Sequence, residues 1–375
     1  MLDMNIININ DTSNKLFYIG GVVRDELLGR ESFDIDITYV GNAIEYCSKF
    51  GEVIQENPDF GTVRVNVGGR EVDFASTRSE SYPRKGHLPV VEKIGCSLKE
   101  DVLRRDFTIN ALAKSVTTGE IVDYTGGLED LKNKNLKVLH DESFIDDPTR
   151  IIRGLKFSIR FGFDLDEHTR KLQEEYLANI NYDMSYKRVK KELIETFNLN
   201  SNKAFERFIN ENIYKLVTEN DVKIPDIDIE KLINDYKPEY VWLVYVGVLK
   251  DLSKLPLTKI EQKIIDEVPN KILSNDFEIY KAFENARLET VLLYGILYDE
   301  KIARHYLDDL KQIKISVTGN DLLDLGIKPS PRYQEIFDEI LKCKLENPDM
   351  TKDEELEYLK KTYFLTDLLF GNKID

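Results

Sequence analysis

Two aspartates, Asp34 and Asp36, stand one residue apart in the otherwise apolar segment FDIDIT. On a β-strand such residues point to the same face, so the two carboxylates would lie side by side while Ile35 and Ile37 face a core. Like charges this close repel each other unless a cation lies between them. The pair therefore suggests a metal site. The alternative is that one aspartate caps a turn at the edge of the strand.

A glycine pair and an arginine precede this segment. Gly20 and Gly21 end the first predicted strand, and Arg24 follows within one helical turn. Glycine lets a ligand approach the backbone closely, and a helix N-terminus presents free N–H groups to an anion. Taken alone, a Gly-Gly turn is also common in ordinary loops. Beside two carboxylates it predicts a phosphate chain bridged by one or two Mg²⁺ ions, because Mg²⁺ prefers carboxylate and phosphate oxygens.

A second cluster lies in EDVLRRDFTINALA, on a segment that begins like a helix. It brings two cations, a carboxylate and an amide close together along the chain: Arg104, Arg105, Asp106 and Asn110. These groups suit contacts with a triphosphate and a ribose. The alternative is a surface helix that carries ordinary intrahelical ion pairs.

A third cluster lies in DDPTRIIRGLKFSIRFGF, where a helix is predicted to end at Gly162. Asp147, Arg150 and Arg153 are spaced three apart and would share a face away from the isoleucines. A carboxylate beside a guanidinium fork matches the Watson–Crick edge common to C and A, an amine donor next to a ring-nitrogen acceptor. U and G would present a carbonyl to the carboxylate. The alternative is a capped helix with an i,i+3 ion pair.

The elements that hold these groups alternate between strand and helix to about residue 125 and are helical afterwards. Strands are predicted over residues 16–19, 35–40, 61–67 and 71–75, and helices over residues 22–28 and 43–50. Beyond the helix that starts near Asp147, helices are predicted over residues 171–180, 186–197, 202–211, 240–252 and 258–268. Chain breaks are expected at Ile224-Pro225-Asp226 and at Leu255-Pro256. A last unit begins near residue 315.

The composition excludes several classes of protein. A chain of 375 residues with 42% hydrophobic and 32% charged residues should form two or three globular domains. No apolar run reaches the ~18 residues of a membrane span. The N-terminus lacks a targeting pattern, so we expect a cytoplasmic protein without membrane contact. Cys47, Cys96 and Cys343 match neither a disulfide framework nor a zinc site.

The charge distribution is uneven along the chain. A formal net charge of −16 argues against a non-specific nucleic-acid coat but leaves room for a local basic groove. Residues 146–195 hold ten Lys/Arg and ten Asp/Glu, so this segment is neutral in an acidic chain. Its densest basic run is KRVKK, residues 187–191, for which a solvated helix face is the alternative.

Together the clusters resemble the tRNA nucleotidyltransferase/poly(A) polymerase family, specifically the bacterial-eukaryotic class of CCA-adding enzymes. The resemblance rests on GGVVRDELLGR…DIDIT, RRDFTINALA, DYTGGLEDLKNKNL, DDPTRIIRGLKFSIRFGF and, near the end, ISVTGNDLLDLGIKPSP. It implies an α+β fold, with a polymerase-β-like head containing a mixed sheet, followed by an all-helical neck, body and tail. The predicted domains are residues 1–139, 140–198, 199–312 and 313–375.

The resemblance also implies roles for individual residues. Asp34 and Asp36 would hold two Mg²⁺ ions and be catalytic. The nucleotide would be bound by Gly21, Arg24, Arg105, Asp106, Asn110, Asp147, Arg150 and Arg153. Within that set, Asp147 and Arg150 would act as a protein template that selects the base. Arg188 and Glu192, four apart, would stabilise the helices near the template.

This sequence departs from the family pattern at two positions. The template motif of the family opens with Glu-Asp, whereas here it is Asp146-Asp147, and the shorter Asp146 would alter how the template is braced. A further arginine of the family is Lys156 here, also expected to support the template. Asp73 is a possible third carboxylate of the site, and its alternative role is only to shape the strand.

The expected activity is addition of CMP and AMP, from CTP and ATP, to the 3′ end of tRNA with release of pyrophosphate. The loop containing SESYPRKGHLPVV is of full length, whereas CC-adding relatives have it shortened, which favours CCA addition or addition of A alone, and of these two we expect CCA addition. Addition of A alone or of CC alone stays open, and a catalytically idle RNA-binding protein of the same fold is a more distant alternative. The partner would be the acceptor arm and 3′ end of tRNA. The sequence predicts no oligomeric state.

Overall fold

The computed structural model describes Ile9, Asp11 and residues 13–32, 35–180 and 182–364. Contacts divide the chain into two units, Met1–Ile224 with Asp251–Pro256 and Pro225–Lys250 with Leu257–Asp375. The two predicted chain breaks fall at junctions between these units. The residue boundaries predicted for head, neck, body and tail stay predictions.

The first unit contains a mixed sheet that is seven-stranded in the described residues, with strand order β3-β4-β5-β2-β1-β8-β9. Only β2 and β5 pair in parallel within it, and the other neighbours are antiparallel. A β6-β7 hairpin and a short parallel β10-β11 pair lie outside the sheet. The strands are β1 Leu16–Ile19, β2 Asp36–Tyr39, β3 Glu52–Asn57, β4 Thr62–Val67, β5 Arg70–Ser76, β6 Arg78–Ser81, β7 Val90–Ile94, β8 Ala113–Ser115, β9 Ile121–Val122, β10 Asn135–Leu136 and β11 Asp164–Leu165.

Inner strands of this sheet show an alternation of buried apolar and partly exposed residues, as in β4. Along β4, Val63, Val65 and Val67 are buried while the residues between them are partly exposed. The four strands predicted from sequence are all present within two residues of their predicted ends. Strand β3 was not predicted, because it is an edge strand with every residue exposed and has no alternation to detect.

Nine helices of the first unit carry or surround the predicted site residues in the described part of the chain. They are α1 Gly21–Leu27, α2 Ala43–Cys47, α3 Leu98–Leu103, α4 Gly127–Asn133, α5 Ser143–Asp146, α6 Thr149–Phe161, α7 Glu167–Ala178, α8 Tyr186–Phe197 and α9 Asn202–Asn210. Helix α6 ends as predicted at Gly162, whose φ of 71° is the left-handed conformation that glycine adopts readily.

The second unit is helical throughout its described residues. Its helices are α10 Ile229–Tyr236, α11 Val241–Val246, α12 Lys259–Asp266, α13 Asp276–Phe283, α14 Leu288–Leu297, α15 Glu300–His305, α16 Gly319–Asp324, α17 Arg332–Glu346 and α18 Lys352–Leu359. The predicted capping box of Thr258 and Glu261 is present at the start of α12. Within the described ranges, every helix is too short or too polar to cross a membrane.

Helix α4 lies against the short 3₁₀ turn Thr108–Asn110, which carries a predicted site residue. A Cβ atom placed on Gly127 would be 2.3 Å from the carbonyl oxygen of Thr108. The Thr108 hydroxyl also donates to Asp130 at 2.7 Å, so the turn is fastened to α4. Glycine at this position is what lets the two segments approach.

We expect Gly127→Ala to lower the free energy of unfolding by about 1–3 kcal/mol, because the added methyl group must push α4 from the turn. Gly319→Ala is the control, since a Cβ there meets Tyr333 at an ordinary 3.6 Å. Calorimetric unfolding of the two variants measures the difference. Equal shifts in both would contradict the close approach.

Candidate functional site

The first residue of β2, Asp36, presents an exposed side chain on one face of the sheet, whereas Ile37 is fully buried on the other. This is the alternation predicted from the sequence. The parallel register of β2 and β5 places Asp73 directly beside Asp36. The other predicted metal ligand, Asp34, lies outside the described residues. Among those described, no group of three or more Asp, Glu, His or Cys residues forms a ready metal site.

The carboxylate of Asp73 is engaged by an arginine. Arg64 on β4 donates from Nε to Oδ1 at 2.7 Å and from Nη2 to Oδ2 at 2.9 Å, a bidentate pair. Both side chains are a little under half exposed, at 42% and 45%. A cation at Asp73 would therefore compete with Arg64 for these oxygens. Sequence reasoning missed Arg64, because only the β4-β5 pairing brings it there.

The Gly-Gly turn lies against a second predicted residue. Gly20 has a φ of 73°, and a Cβ there would be 3.0 Å from Nη1 of Arg105. A Cβ on Gly21 would lie 3.5 Å from Nη2 of Arg24. Two guanidinium groups thus approach the start of α1, as the prediction of an anion site at this turn requires.

The charge of Arg105 is only partly compensated within the protein. Its Nη2 donates to Asp101 at 3.3 Å, while its buried Nε has no hydrogen-bond partner in the described structure. Burial lowers the pKa of Arg105, and the negative charges of Asp101 and Asp36 oppose that effect. An incompletely paired guanidinium beside Asp36 and the glycine turn is suited to an anion. Asp101, which also pairs with Arg104 at 2.8 Å, was not singled out from the sequence.

The structure places the predicted phosphate contact Arg24 inside the protein. Its side chain is 4% exposed, lies 4.4 Å from the centre of the Phe161 ring, and pairs with Asp25 at 2.7 Å. Nη1 also donates to Asn110. Burial lowers the pKa of Arg24, and Asp25 opposes this. The partner Phe161 is far away in sequence and gave no local signal.

The carboxylate of Asp106 joins the second and third sequence clusters. Oδ1 accepts from the backbone N–H of Phe107 at 2.8 Å and from Nδ2 of Asn110 at 3.0 Å. Oδ2 accepts from Nε of Arg153 at 2.8 Å. Burial alone would raise the pKa of Asp106, but Arg153 and Asn110 outweigh it and hold that pKa well below its usual value.

The same chain of contacts continues from α6 to α8. Nη1 of Arg153 donates to Glu192 at 3.2 Å, and Nζ of Lys156 donates to Glu192 at 2.7 Å and to Glu195 at 2.5 Å. Lys156 is 8% exposed, and its two ion pairs tie it to α8. Asp106, Arg153, Glu192 and Lys156, together with Asn110, are called the Asp106 network below.

The proposed base-selecting carboxylate, Asp147, is 5% exposed and fully engaged. Oδ1 accepts from the Thr149 hydroxyl at 2.6 Å and from its N–H at 3.2 Å. Oδ2 accepts from Nη2 of Arg188 at 2.5 Å. Helix α6 begins at Thr149, so Asp147 stands just before the helix rather than on its face, with a φ of −144°.

The arginine of the same motif is also held by protein groups. Arg150 is 3% exposed, and its Nη1 donates to the Ser143 hydroxyl at 2.7 Å. Its Nη2 donates to Tyr82 at 3.2 Å and to the carbonyl of Arg104 at 3.1 Å. Arg150 and Arg153 lie on one helix as predicted, and their partners come from separate segments.

The loop between β6 and β7 contacts the residues next to this motif. Nζ of Lys85 pairs with Asp146 at 2.5 Å, and the N–H of Gly86 donates to the Asp146 carbonyl at 3.0 Å. Arg188 donates to the carbonyl of His87 at 3.3 Å. The shorter Asp146 is thus held by a lysine of this loop. The sequence gave no sign of the contact.

The fold and the site define a nucleotidyltransferase head followed by helical segments. Residues 16–137 match the family described as Poly A polymerase head domain. This match, which covers about a third of the chain, together with the similar proteins described next, confirms the resemblance to the tRNA nucleotidyltransferase/poly(A) polymerase family that the sequence motifs indicated.

Curated relatives differ in how much of their length the chain matches. An A-adding tRNA nucleotidyltransferase of Aquifex aeolicus is 47% identical over 43% of this chain and 20% of the relative. One from Geobacter sulfurreducens is 31% identical over 91% of this chain and 44% of the relative. The chain therefore spans less than half the length of these two relatives. A CCA-adding enzyme of Lactobacillus helveticus is 28% identical over 94% of this chain and 95% of the relative's length.

Solved structures of similar proteins share the whole architecture. The chain matches an apo CCA-adding enzyme with a TM-score of 0.77 at 25% identity, covering 93% of this chain and 92% of that one. A CCA-adding enzyme with ATP matches with a TM-score of 0.75 at 25% identity, covering 96% and 91%. The Thermotoga maritima CCA-adding enzyme complexed with tRNA matches with a TM-score of 0.71 at 25% identity, covering 93% and 91%. These likenesses confirm the predicted fold class.

We expect Asp106→Asn to destabilise the protein by about 3 kcal/mol at pH 7, because Arg153 loses its buried counter-charge. The depressed pKa of Asp106 means that its stabilisation is complete above the unfolded value of 3.8 and declines as the pH falls below it. The difference from wild type should therefore shrink between pH 5 and pH 3, as measured by urea unfolding. The exposed Asp59→Asn is the matched control. A difference that does not change with pH would contradict the pairing.

Proposed function

We propose that this protein transfers nucleotides from CTP and ATP to the 3′ end of tRNA, building or repairing a CCA end. The observation that carries the proposal is the arrangement of the Asp36 carboxylate, with Asp73 beside it, the Gly20-Gly21 turn and Arg105. The guanidinium of Arg105 lies against Gly20 and interacts electrostatically with Asp36. Such an arrangement can bind a divalent cation and a triphosphate next to an attacking hydroxyl. The tRNA 3′-hydroxyl would attack the α-phosphate, and pyrophosphate would leave.

The donors on this face fit Mg²⁺. Asp36 and its neighbour Asp73 present carboxylate oxygens, the ligands that Mg²⁺ prefers together with phosphate oxygens. Two Mg²⁺ ions held by Asp34 and Asp36 would lower the pKa of the attacking hydroxyl and stabilise the leaving oxygens. Asp73 is the proposed third carboxylate, for which Arg64 is the competitor.

Binding of the triphosphate falls to Gly21, Arg24, Arg105 and the Asp106 network in this proposal. Arg105 has the least compensated charge of these groups and an Nε still able to donate. The backbone N–H groups at the start of α1 add donors that need no side chain. These groups would position the α-phosphate and neutralise charge, which supplies most of the rate in phosphoryl-type transfers.

Base selection is proposed for Asp147 and Arg150. In the structure both are hydrogen-bonded to protein partners, so a base would have to exchange contacts with Arg188, Ser143 or Tyr82. The exocyclic amine of C or A can donate to Asp147 in place of Arg188. The neighbouring ring nitrogen can accept from Arg150 in place of Ser143 or Tyr82. The carbonyl of U or G would instead face a buried carboxylate, which costs free energy.

Arg188, Glu192, Lys156 and Asp146 are proposed to support this template. Arg188 pairs with Asp147, and Glu192, one turn further along α8, pairs with Arg153. Each of these ion pairs fixes one side chain of the motif. Lys156 anchors α6 to α8, and Asp146 anchors the loop of the β6-β7 hairpin. Such support keeps the selecting groups from relaxing toward other bases.

The proposed partner is the acceptor arm and 3′ end of tRNA, reached from a head of residues 1–139 and a helical neck, body and tail. The tRNA complex of a similar enzyme and its match over 93% of this chain support this partner. A tRNA substrate also places the activity in the cytoplasm. An idle RNA-binding protein is disfavoured, since Asp36, Asp147 and Arg150 are all retained.

Addition of A alone is the second candidate function. The two relatives with the highest identities reported above are A-adding enzymes, and an A-adding enzyme as well as the CCA-adding enzyme reported above, each 28% identical, match over most of their own length. Both activities use the same AMP-transfer step. They differ in whether CTP is accepted on a shorter tRNA end.

Replacing Asp36 should abolish incorporation without unfolding the protein. Because its side chain is exposed, Asp36→Ala opens no cavity in the core, and we expect at least a ~10³-fold loss of turnover from the lost electrostatic stabilisation. Steady-state incorporation of labelled AMP into tRNA ending in CC measures the effect. Asp59→Ala is the exposed control, and retained turnover in Asp36→Ala would refute the assignment.

The candidate functions are separated by incubating the protein with Mg²⁺, labelled CTP or ATP, and one of three tRNAs. These tRNAs lack the whole CCA end, end in C, or end in CC. We expect CMP on the two shorter ends and AMP on the CC end. AMP incorporation on the CC end without any CMP incorporation on the two shorter ends would replace the CCA assignment by A addition. Binding of tRNA with no incorporation on any end would support the idle RNA-binding protein instead.

A further inference from the structure

Three arginines surround a single aromatic ring near the ends of α1 and α6. The guanidinium carbons of Arg24, Arg30 and Arg160 lie 4.4, 5.2 and 5.2 Å from the centre of the Phe161 ring. Nη1 of Arg30 donates to the carbonyl of Arg160 at 2.9 Å, so the two outer arginines are held next to each other. Arg24 is buried, whereas Arg30 and Arg160 are exposed.

The positive charge at this ring exceeds the negative charge paired with it. Asp25 pairs with Arg24 at 2.7 Å and with Arg160 at the longer distance of 3.5 Å. Within the described residues, all ion pairs of the three guanidinium groups go to this one carboxylate. The positive charge of Arg160 also lowers the pKa of Arg24, which reflects their closeness. A site with surplus positive charge at its exposed edge favours an anion.

The two exposed arginines keep most of their hydrogen-bonding capacity. A guanidinium carries five N–H donors, and Arg30 uses one of them on a carbonyl. Its contact with the ring occupies the face of the guanidinium and leaves its edge available. Two forks side by side match the oxygens of a phosphate group, which guanidinium groups bind with paired hydrogen bonds.

The position of this pair along α6 separates it from the proposed nucleotide site. Arg160 lies two turns beyond Arg153 on the same helix face and about 15 Å along the axis from Arg150. Among the proposed triphosphate contacts, Gly21 and Arg105 lie at the other end of α1, and the buried Arg24 directs its Nη2 toward Gly21, 3.5 Å from a Cβ placed there, while Arg30 and Arg160 are exposed. A phosphate at Arg30 and Arg160 would therefore belong to a second molecule at the site.

We propose that Arg30 and Arg160 form a phosphate-binding site for the backbone of the RNA strand that is extended. This inference rests on the proposed function and adds to it a contact with the RNA itself. The ring of Phe161 contacts both outer arginines, Asp25 pairs with Arg160, and the Arg160 carbonyl accepts from Arg30, which holds the two in place. The acidic chain thus offers RNA a local cation pair beside the reaction site instead of a broad basic surface.

The test compares Arg30→Gln, Arg160→Gln and the double variant with wild type. In the double variant the slope of log affinity for tRNA against log salt concentration should fall by about 0.7–0.9, the value for one lost phosphate contact. At 0.1 M salt this corresponds to about five- to eightfold weaker tRNA binding. The KM for ATP on saturating tRNA should stay unchanged. Arg70→Gln, an exposed arginine at the β4-β5 turn, is the matched control.

Each result has a distinct meaning. An unchanged salt slope in the double variant, or an equal change in Arg70→Gln, would overturn the RNA contact while wild-type incorporation upholds the proposed function. A raised KM for ATP with unchanged tRNA binding would assign the arginines to the nucleotide and also overturn it. A wild-type protein that neither binds nor extends tRNA would overturn the proposed function and this inference together.

Discussion

The pairing of Asp106 with Arg153 is the interaction on which the candidate site depends. A buried carboxylate without a partner costs several kcal/mol, so the segment that carries Asp106 and helix α6 are stable only when held together. Asn110 and Glu192 extend this constraint toward α1 and α8. Since Asn110 accepts from Arg24 and Arg153 donates to Glu192, this pairing links α1, α6 and α8.

The side chains proposed to select the base, Asp147 and Arg150, are held by protein groups of their own. Asp147 and Arg150 have protein partners on most of their polar atoms, which fixes their rotamers and excludes disordered water. A base that supplies equivalent hydrogen bonds can displace these partners at little cost, whereas one that leaves a buried charge unmet cannot. Selection by a protein surface follows from that difference.

The distribution of charge is compatible with the proposed polyanionic partner of this acidic protein. Most of the arginines near the site are neutralised internally, as Arg24 is by Asp25 and Arg64 by Asp73. Among the described residues of the site, Arg105 keeps a charge that is only partly compensated. Specific phosphate contacts of this kind need no overall positive charge, because electrostatic attraction in water at physiological salt is short in range.

The sequence by itself determined what depends on near neighbours along the chain. The alternation of Asp36 and Ile37, the helix Tyr186–Phe197, the stop at Gly162 and the capping box at Thr258 all follow from backbone geometry and local hydrogen bonds. The family motifs likewise named the groups of the site, although Asp34 lies outside the described residues.

Only the tertiary structure decided which distant partner each long side chain meets. Arg24 on Phe161, Arg188 on Asp147 and Lys85 on Asp146 join segments whose separation in sequence gives no clue to their contact. The exposed edge strand β3 likewise exists only because β4 pairs with it. The physical reason is that local periodicity sets secondary structure, whereas the partners of buried charges are set by how whole segments pack.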